Sequence, residues 1–115
     1  MREKIRDKGR LQHILDAIEK SLEFTKNVSF DEYVANTLLK YAVVKCVEII
    51  GEASYKLTKE FREQHPEIEW NKMIGMRHIL VHGYYQTEDK FVWDTVKKSL
   101  PDLKERIGKI YEEMG

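Results

Sequence analysis

Arg77, His82 and Tyr84 lie in the stretch Met76-Arg77-His78-Ile79-Leu80-Val81-His82-Gly83-Tyr84-Tyr85, where they form the pattern R-x4-H-x-Y. A guanidinium holds phosphate oxygens through paired donors, and an imidazole moves protons near neutral pH. Those two groups are enough to cleave RNA without a metal. The spacing alone does not bring them together. Helical residues turn about 100° and rise about 1.5 Å each, so the two side chains differ by about 140° around the axis and about 7.5 Å along it. Two arrangements would make them converge: the helix unwinds at His82-Gly83, or a two-fold dimer sets two such segments face to face in a composite cleft. In the bland alternative Arg77 pairs with a carboxylate, His82 caps helix carbonyls, and Tyr84 and Tyr85 pack as amphipathic side chains.

Other polar side chains carry weaker signals. His78 reads first as a hydrogen-bonded or solvated helix residue, and second as a group supporting the site. Glu48 interrupts an apolar run three residues after Lys45, which points to a structural ion pair. His13, His65, His78 and His82 form no ligand cluster by spacing, and nothing matches a His/Cys metal motif, so neither a metal nor a cofactor is expected. Trp70 and Trp93 read as core rather than as base-stacking platforms.

Helices are what must position these groups. Leu11, Ile14, Leu15, Ile18 and Leu22 recur at helical spacing, which predicts a first helix from near Asp7 to about Lys26. Asn27-Val28-Ser29 ends it, and Ser29 with Glu32 forms a capping box for the next. That second helix is expected from about Phe30 to about Gln64, with a bend allowed. Its middle, Leu38 to Gly51, is apolar on most sides, as in a central helix or one covered by a second subunit. Gly51 there costs about 1 kcal/mol relative to Ala, so close helix packing is expected to require it. His65-Pro66 ends the helix, because proline disfavours helical backbone in the residue before it. A third helix is predicted from about Trp70 to about Val81, with Trp70, Ile74 and Val81 as core candidates and Gly83 as its C-terminal cap. Thr87 then opens the last helical stretch, with Glu88 and Asp89 at its positive end. Val92, Val96, Leu100, Leu103, Ile107 and Ile110 form its stripe, and Pro101 kinks it or begins a new helix. No strand is required. The expected fold is all-α, an antiparallel bundle of four to five helices in a single domain spanning residues 1–115.

Composition narrows the function classes. The chain has 115 residues, 42% of them apolar and 35% charged, with a formal net charge of +0. A general nucleic-acid coat would be basic, so any RNA contact is expected to be local. Residues 1–10 hold five Lys/Arg against two Asp/Glu, a local excess of 5 − 2 = +3, which suits a solvated, frayed end first and contact with RNA or an acidic partner second. Cys46 is the single cysteine, so no intramolecular disulfide forms. Its apolar context reads as a small core residue in a reducing compartment. No apolar run has membrane-spanning length, and the charged Met1-Arg2-Glu3-Lys4-Ile5-Arg6 lacks the apolar core of a signal peptide. A cytoplasmic protein with no membrane partner is expected.

Taken together, several segments resemble the HepT-like (DUF86) group of the HEPN superfamily. Arg77-x4-His82-x-Tyr84 matches its R-x4-H-x-Y motif. Val47-Glu48-Ile49-Ile50-Gly51-Glu52-Ala53 resembles E-I-I-G-E-A, and His65-Pro66-Glu67-Ile68-Glu69-Trp70 resembles H-P-E-I-P-W. Ile74-Gly75-Met76-Arg77 resembles I-G-M-R. Val92-Trp93-Asp94-Thr95-Val96 and Leu100-Pro101-Asp102-Leu103 resemble V-W-x-x-V and L-P-x-L. The first helix, from Leu11 to Ile18, also fits, so the likeness runs in order through nearly the whole chain. There are two departures: His78 stands where relatives often have Asn, and Tyr41 where many have Asp in Q-D-A-V.

The resemblance implies a dimeric helical bundle and a metal-independent endoribonuclease toxin of a type VII toxin–antitoxin system. Its implied catalytic pair is Arg77 and His82, with His78 and Tyr84 supporting or contacting RNA. Its implied partners are RNA, a second copy of the chain, and a minimal (MntA-like) nucleotidyltransferase antitoxin that transfers AMP to Tyr84. The competing reading is a non-catalytic HEPN module that binds a nucleotide or protein.

Overall fold

The first helix, α1, spans Arg2–Phe24. Leu11, Ile14 and Ile18 are fully buried on it, with Leu15 and Leu22 partly buried alongside. A computed structural model describes the backbone of residues 2–82 and 89–115, with side chains from Arg6 onward. α1 therefore begins earlier than the sequence pattern suggests. Asp7 is not its cap: the carboxylate is buried and turned inward, accepting from the Thr58 backbone N–H at 2.9 Å and from the Thr58 hydroxyl at 2.8 Å.

The expected continuous helix from Phe30 to Gln64 is instead three helices. α2 spans Phe30–Ala35, α3 Thr37–Lys56 and α4 Lys59–Gln64. The capping box at the head of α2 forms as anticipated: the Ser29 hydroxyl accepts from the Glu32 N–H at 3.1 Å, and the Glu32 carboxylate accepts from the Ser29 N–H at 2.9 Å. Those contacts hold the Glu32 carboxyl below its usual range. Asn36 makes the first break. Its backbone is extended, its N–H closes α2 on the Tyr33 carbonyl, and its side chain accepts from the Leu39 N–H at 3.0 Å to open α3. Thr58 makes the second, capping α4 by accepting from the Phe61 N–H at 3.1 Å. Asp7 holds Thr58 in place from the far end of the sequence. His65 closes α4 ahead of Pro66, as the proline requires.

α5 spans Trp70–Val81, and α6 spans Asp89–Asp94. A π-helical turn, Thr95–Ser99, then leads into α7, Leu100–Glu113. The Leu100 N–H reaches back five residues to the Thr95 carbonyl. Pro101 has no N–H and its ring crowds the carbonyl four residues earlier, so a widened turn accommodates it where a regular α-helix would kink or stop. The expectations for Gly83, Thr87 and Glu88 lie outside the described residues.

α3 is the central element, packed by α1 on one side and α5 on the other, while α7 packs on α1. Neighbours run antiparallel. Asp7 near the start of α1 meets Thr58 beyond the end of α3, and Lys40 near the start of α3 bonds Asp89, the first residue of α6, at 3.0 Å. Lys8 lies over the Tyr111 ring at one end of the α1–α7 pair, and Lys97 donates to the Thr25 carbonyl at 2.7 Å at the other. Val43, Val44, Cys46, Val47 and Ile50 of α3 fill the middle of the core. Trp70 and Trp93 are core residues. The Trp70 indole donates to the His65 carbonyl at 3.0 Å, and Trp93 packs on Tyr33 with ring centroids 5.1 Å apart. The described residues form an all-α antiparallel bundle without strands.

Candidate active site

α5 and its C-cap residue carry three of the four side chains singled out by the sequence. Its buried face is Trp70, Met73, Met76 and Leu80, spaced by three and four residues as a core-facing helix requires. Arg77 follows Met76 at the edge of that face and is half-buried against α3. The contact is close because Gly51 lies beneath it. A Cβ built on Gly51 would fall 2.6 Å from the Met73 carbonyl oxygen and nearer still to the Arg77 Cβ. The expectation that Gly51 serves close helix packing is thus met at the motif arginine itself.

No carboxylate of the described residues forms an ion pair with Arg77. Arg77 does act on Glu52 of α3, whose carboxyl is held below its usual range first by Lys56, at 3.2 Å, and then by the charges of Arg77 and Lys45. The anticipated Lys45–Glu48 pair does not form. The ion pair on that stretch of α3 is Glu52–Lys56, at i, i+4 spacing.

His82 is the C-cap of α5, with φ −84° and ψ 11°, and its N–H donates to the His78 carbonyl at 3.3 Å. The helix stays regular up to that point. Arg77 and His82 therefore leave it on different sides within one chain, Arg77 toward α3 and His82 into solvent. The structure brings His82 together with His78 instead: the two rings meet edge to face at 67° with centroids 4.4 Å apart. The sequence signal for this is the i, i+4 spacing of the two histidines, which sets them one turn apart on one face. Among the described residues no group of three or more His, Cys, Asp or Glu is placed to hold a metal ion. Tyr84 lies outside the described residues.

Val81, expected in the core, is 51% exposed. It follows the last inward residue, Leu80, by about 100° around the helix, which turns it off the core-facing side. Ile79 is exposed beside it, and at the antiparallel start of α3 so are Leu38, at 81%, and Tyr41. Among the described residues, Ile79 and Val81 thus leave apolar surface exposed at the motif end of α5. A cavity of about 270 Å³ between α5 and α7, floored by Met73, Met76, Leu100 and Leu103, contains neither Arg77 nor His82. No helix of the described residues is long and apolar enough to cross a membrane.

The family model described as Ribonuclease HepT-like matches residues 14–110, a span that includes Arg77, His78, His82 and Tyr84. The chain is 38% identical over 107 residues to "Putative RNase MJ1216" of Methanocaldococcus jannaschii, covering 93% of this chain and 88% of that one. It is 38% identical over 103 residues to "Probable ribonuclease HepT" of Thermococcus cleftensis, covering 90% and 94% respectively. No solved structure matches the chain significantly. With this match over most of its length, and the same all-helical architecture that its motifs anticipated, the chain belongs to the HepT-like ribonuclease family.

Proposed function

We propose that this protein is a metal-independent endoribonuclease acting as a toxin, and that two copies assemble its active site. The observation that carries the reading is the family match across residues 14–110 together with an Arg77 that no described carboxylate neutralises and a His82 open to solvent at the end of the same helix. Because the two side chains diverge within one chain, convergence calls for a second chain. The exposed apolar side chains Leu38, Ile79 and Val81 beside the motif suit burial against a copy of themselves.

In this mechanism the RNA 2′-OH gives its proton to one imidazole and attacks the adjacent phosphorus. The bond to the 5′ oxygen breaks, and that oxygen takes a proton from an imidazolium. The products are a 2′,3′-cyclic phosphate and a 5′-OH. With two His82 side chains in one cleft, one acts as base and the other as acid. Arg77 stabilises charge gathering on the phosphoryl oxygens. DNA lacks the nucleophile and resists. Tyr84 is the site at which a nucleotidyltransferase antitoxin attaches AMP, adding bulk and negative charge that repel RNA.

The test compares wild type with His82→Ala, by growth after induction and by cleavage of RNA in EDTA with the purified proteins. Growth arrest and EDTA-resistant cleavage by wild type alone support the reading. Equal behaviour of two equally folded proteins would instead favour a non-catalytic binding module.

A further inference from the structure

We infer that His78 and His82 form a two-histidine site for a late transition-metal ion such as Zn²⁺, Ni²⁺ or Cu²⁺, and that occupancy switches the nuclease off. The regulatory half rests on the function proposed above; the binding half does not. Residues four apart on a helix share a face one turn apart, the spacing by which helical histidine pairs hold a metal. Here the spacing is realised in the structure, with ring centroids 4.4 Å apart and both side chains at the surface. Both rings are exposed, so modest rotations would aim one nitrogen of each at a shared ion about 2.0–2.1 Å away.

The surroundings favour a cation. The pair sits on the last turn of α5, where unpaired carbonyls concentrate the negative end of the helix dipole. No described carboxylate completes the site, so water fills the remaining positions. Such a donor set selects by chemistry: imidazole suits Zn²⁺, Ni²⁺ and Cu²⁺, whereas Mg²⁺ prefers oxygen ligands. A metal on His82 occupies the lone pair that the base needs, and it ties the ring to His78. The same imidazole thus serves proton transfer when metal-free and is silenced when ligated.

Binding is measured first, without RNA, by calorimetry of the intact protein with Zn²⁺ and with Ni²⁺, using Mg²⁺ as control. One ion per chain is expected, with affinity at least about 10- to 100-fold weaker in His78→Asn and unchanged in His13→Asn. Shifts of the His78 and His82 ring resonances on adding Zn²⁺ locate the ion. Affinity that is unchanged in His78→Asn, or lost equally in His13→Asn, overturns the site. For the regulatory half, wild-type cleavage falls as Zn²⁺ fills the site and returns on chelation. Cleavage that persists with the site occupied overturns the switch and leaves the ribonuclease reading intact. Absence of any cleavage in metal-free buffer overturns the ribonuclease reading and leaves the binding result standing.

Discussion

Gly51 lies directly beneath Arg77, with no room for a methyl group between α3 and α5 at that point. The glycine lets the central helix seat the motif arginine, and the backbone of α5 rather than a flexible side chain sets the separation. Glu52, the next residue on α3, adds a carboxylate whose field Arg77 feels, although its hydrogen bond goes to Lys56.

Gly51→Ala is therefore expected to destabilise the fold despite alanine's better helix propensity. Propensity returns about 1 kcal/mol, while overpacking against backbone costs about 1–3 kcal/mol. Urea unfolding should show a lower midpoint, with Gly51→Val worse than Gly51→Ala. A gain in stability for Gly51→Ala would mean that the two helices have slack at this crossing.

Arg77→Lys keeps the charge and loses the planar fork. If Arg77 holds the phosphate through paired donors, cleavage should fall about 10²–10³-fold, while the melting temperature changes little. Near-normal turnover by the lysine variant would reduce the role of Arg77 to simple charge.

Asp7→Ala should weaken the junction of α3 and α4. It removes both acceptors from Thr58, whose N–H and hydroxyl lie in a part-buried setting. Leaving such donors unsatisfied costs about 1–3 kcal/mol each at most, so a net loss of about 2 kcal/mol is expected in chemical denaturation. Hydrogen exchange should rise first in α4. Asp7→Asn retains one acceptor and should fall between wild type and alanine.

Tyr33 predicts behaviour at high pH. Its hydroxyl is buried without a hydrogen-bond partner among the described residues, and burial, reinforced by the charge of Asp89, pushes its pKa up to about 12. The folded state thus holds this proton more tightly than the unfolded chain, where tyrosine titrates near 10. Stability from this group is full below pH about 10 and drains away as pH rises toward 12. Tyr33→Phe should match or exceed wild-type stability at neutral pH and lose less between pH about 10 and 12, as read by denaturation across that range.

Local chemistry made much of this protein legible in its sequence. The Ser29–Glu32 box, the stop at His65-Pro66 and the apolar stripes of α1 and α7 depend on residues a few positions apart, and each appears where its pattern places it, whereas of the α5 core candidates only Trp70 is buried. The need for a small residue at position 51 was also visible, since an unforced glycine in a helix interior is costly. The His78–His82 spacing was present too, but a pair stands out only once the rings are seen to touch.

Tertiary structure decided the rest, because distant groups compete with local propensity. The break at Thr58 depends on Asp7, 51 residues earlier, and the exposure of Val81 depends on where the core ends. Asn36 has strong helical neighbours on both sides, and only its extended backbone reveals that it closes one helix and opens the next. The sequence by itself determined an all-helical chain and a motif on α5. The packing of α3 against α5 decided which way that motif faces: Arg77 rests over Gly51, while His82 stands free of it at the helix end, because a regular helix carries residues five apart to different sides.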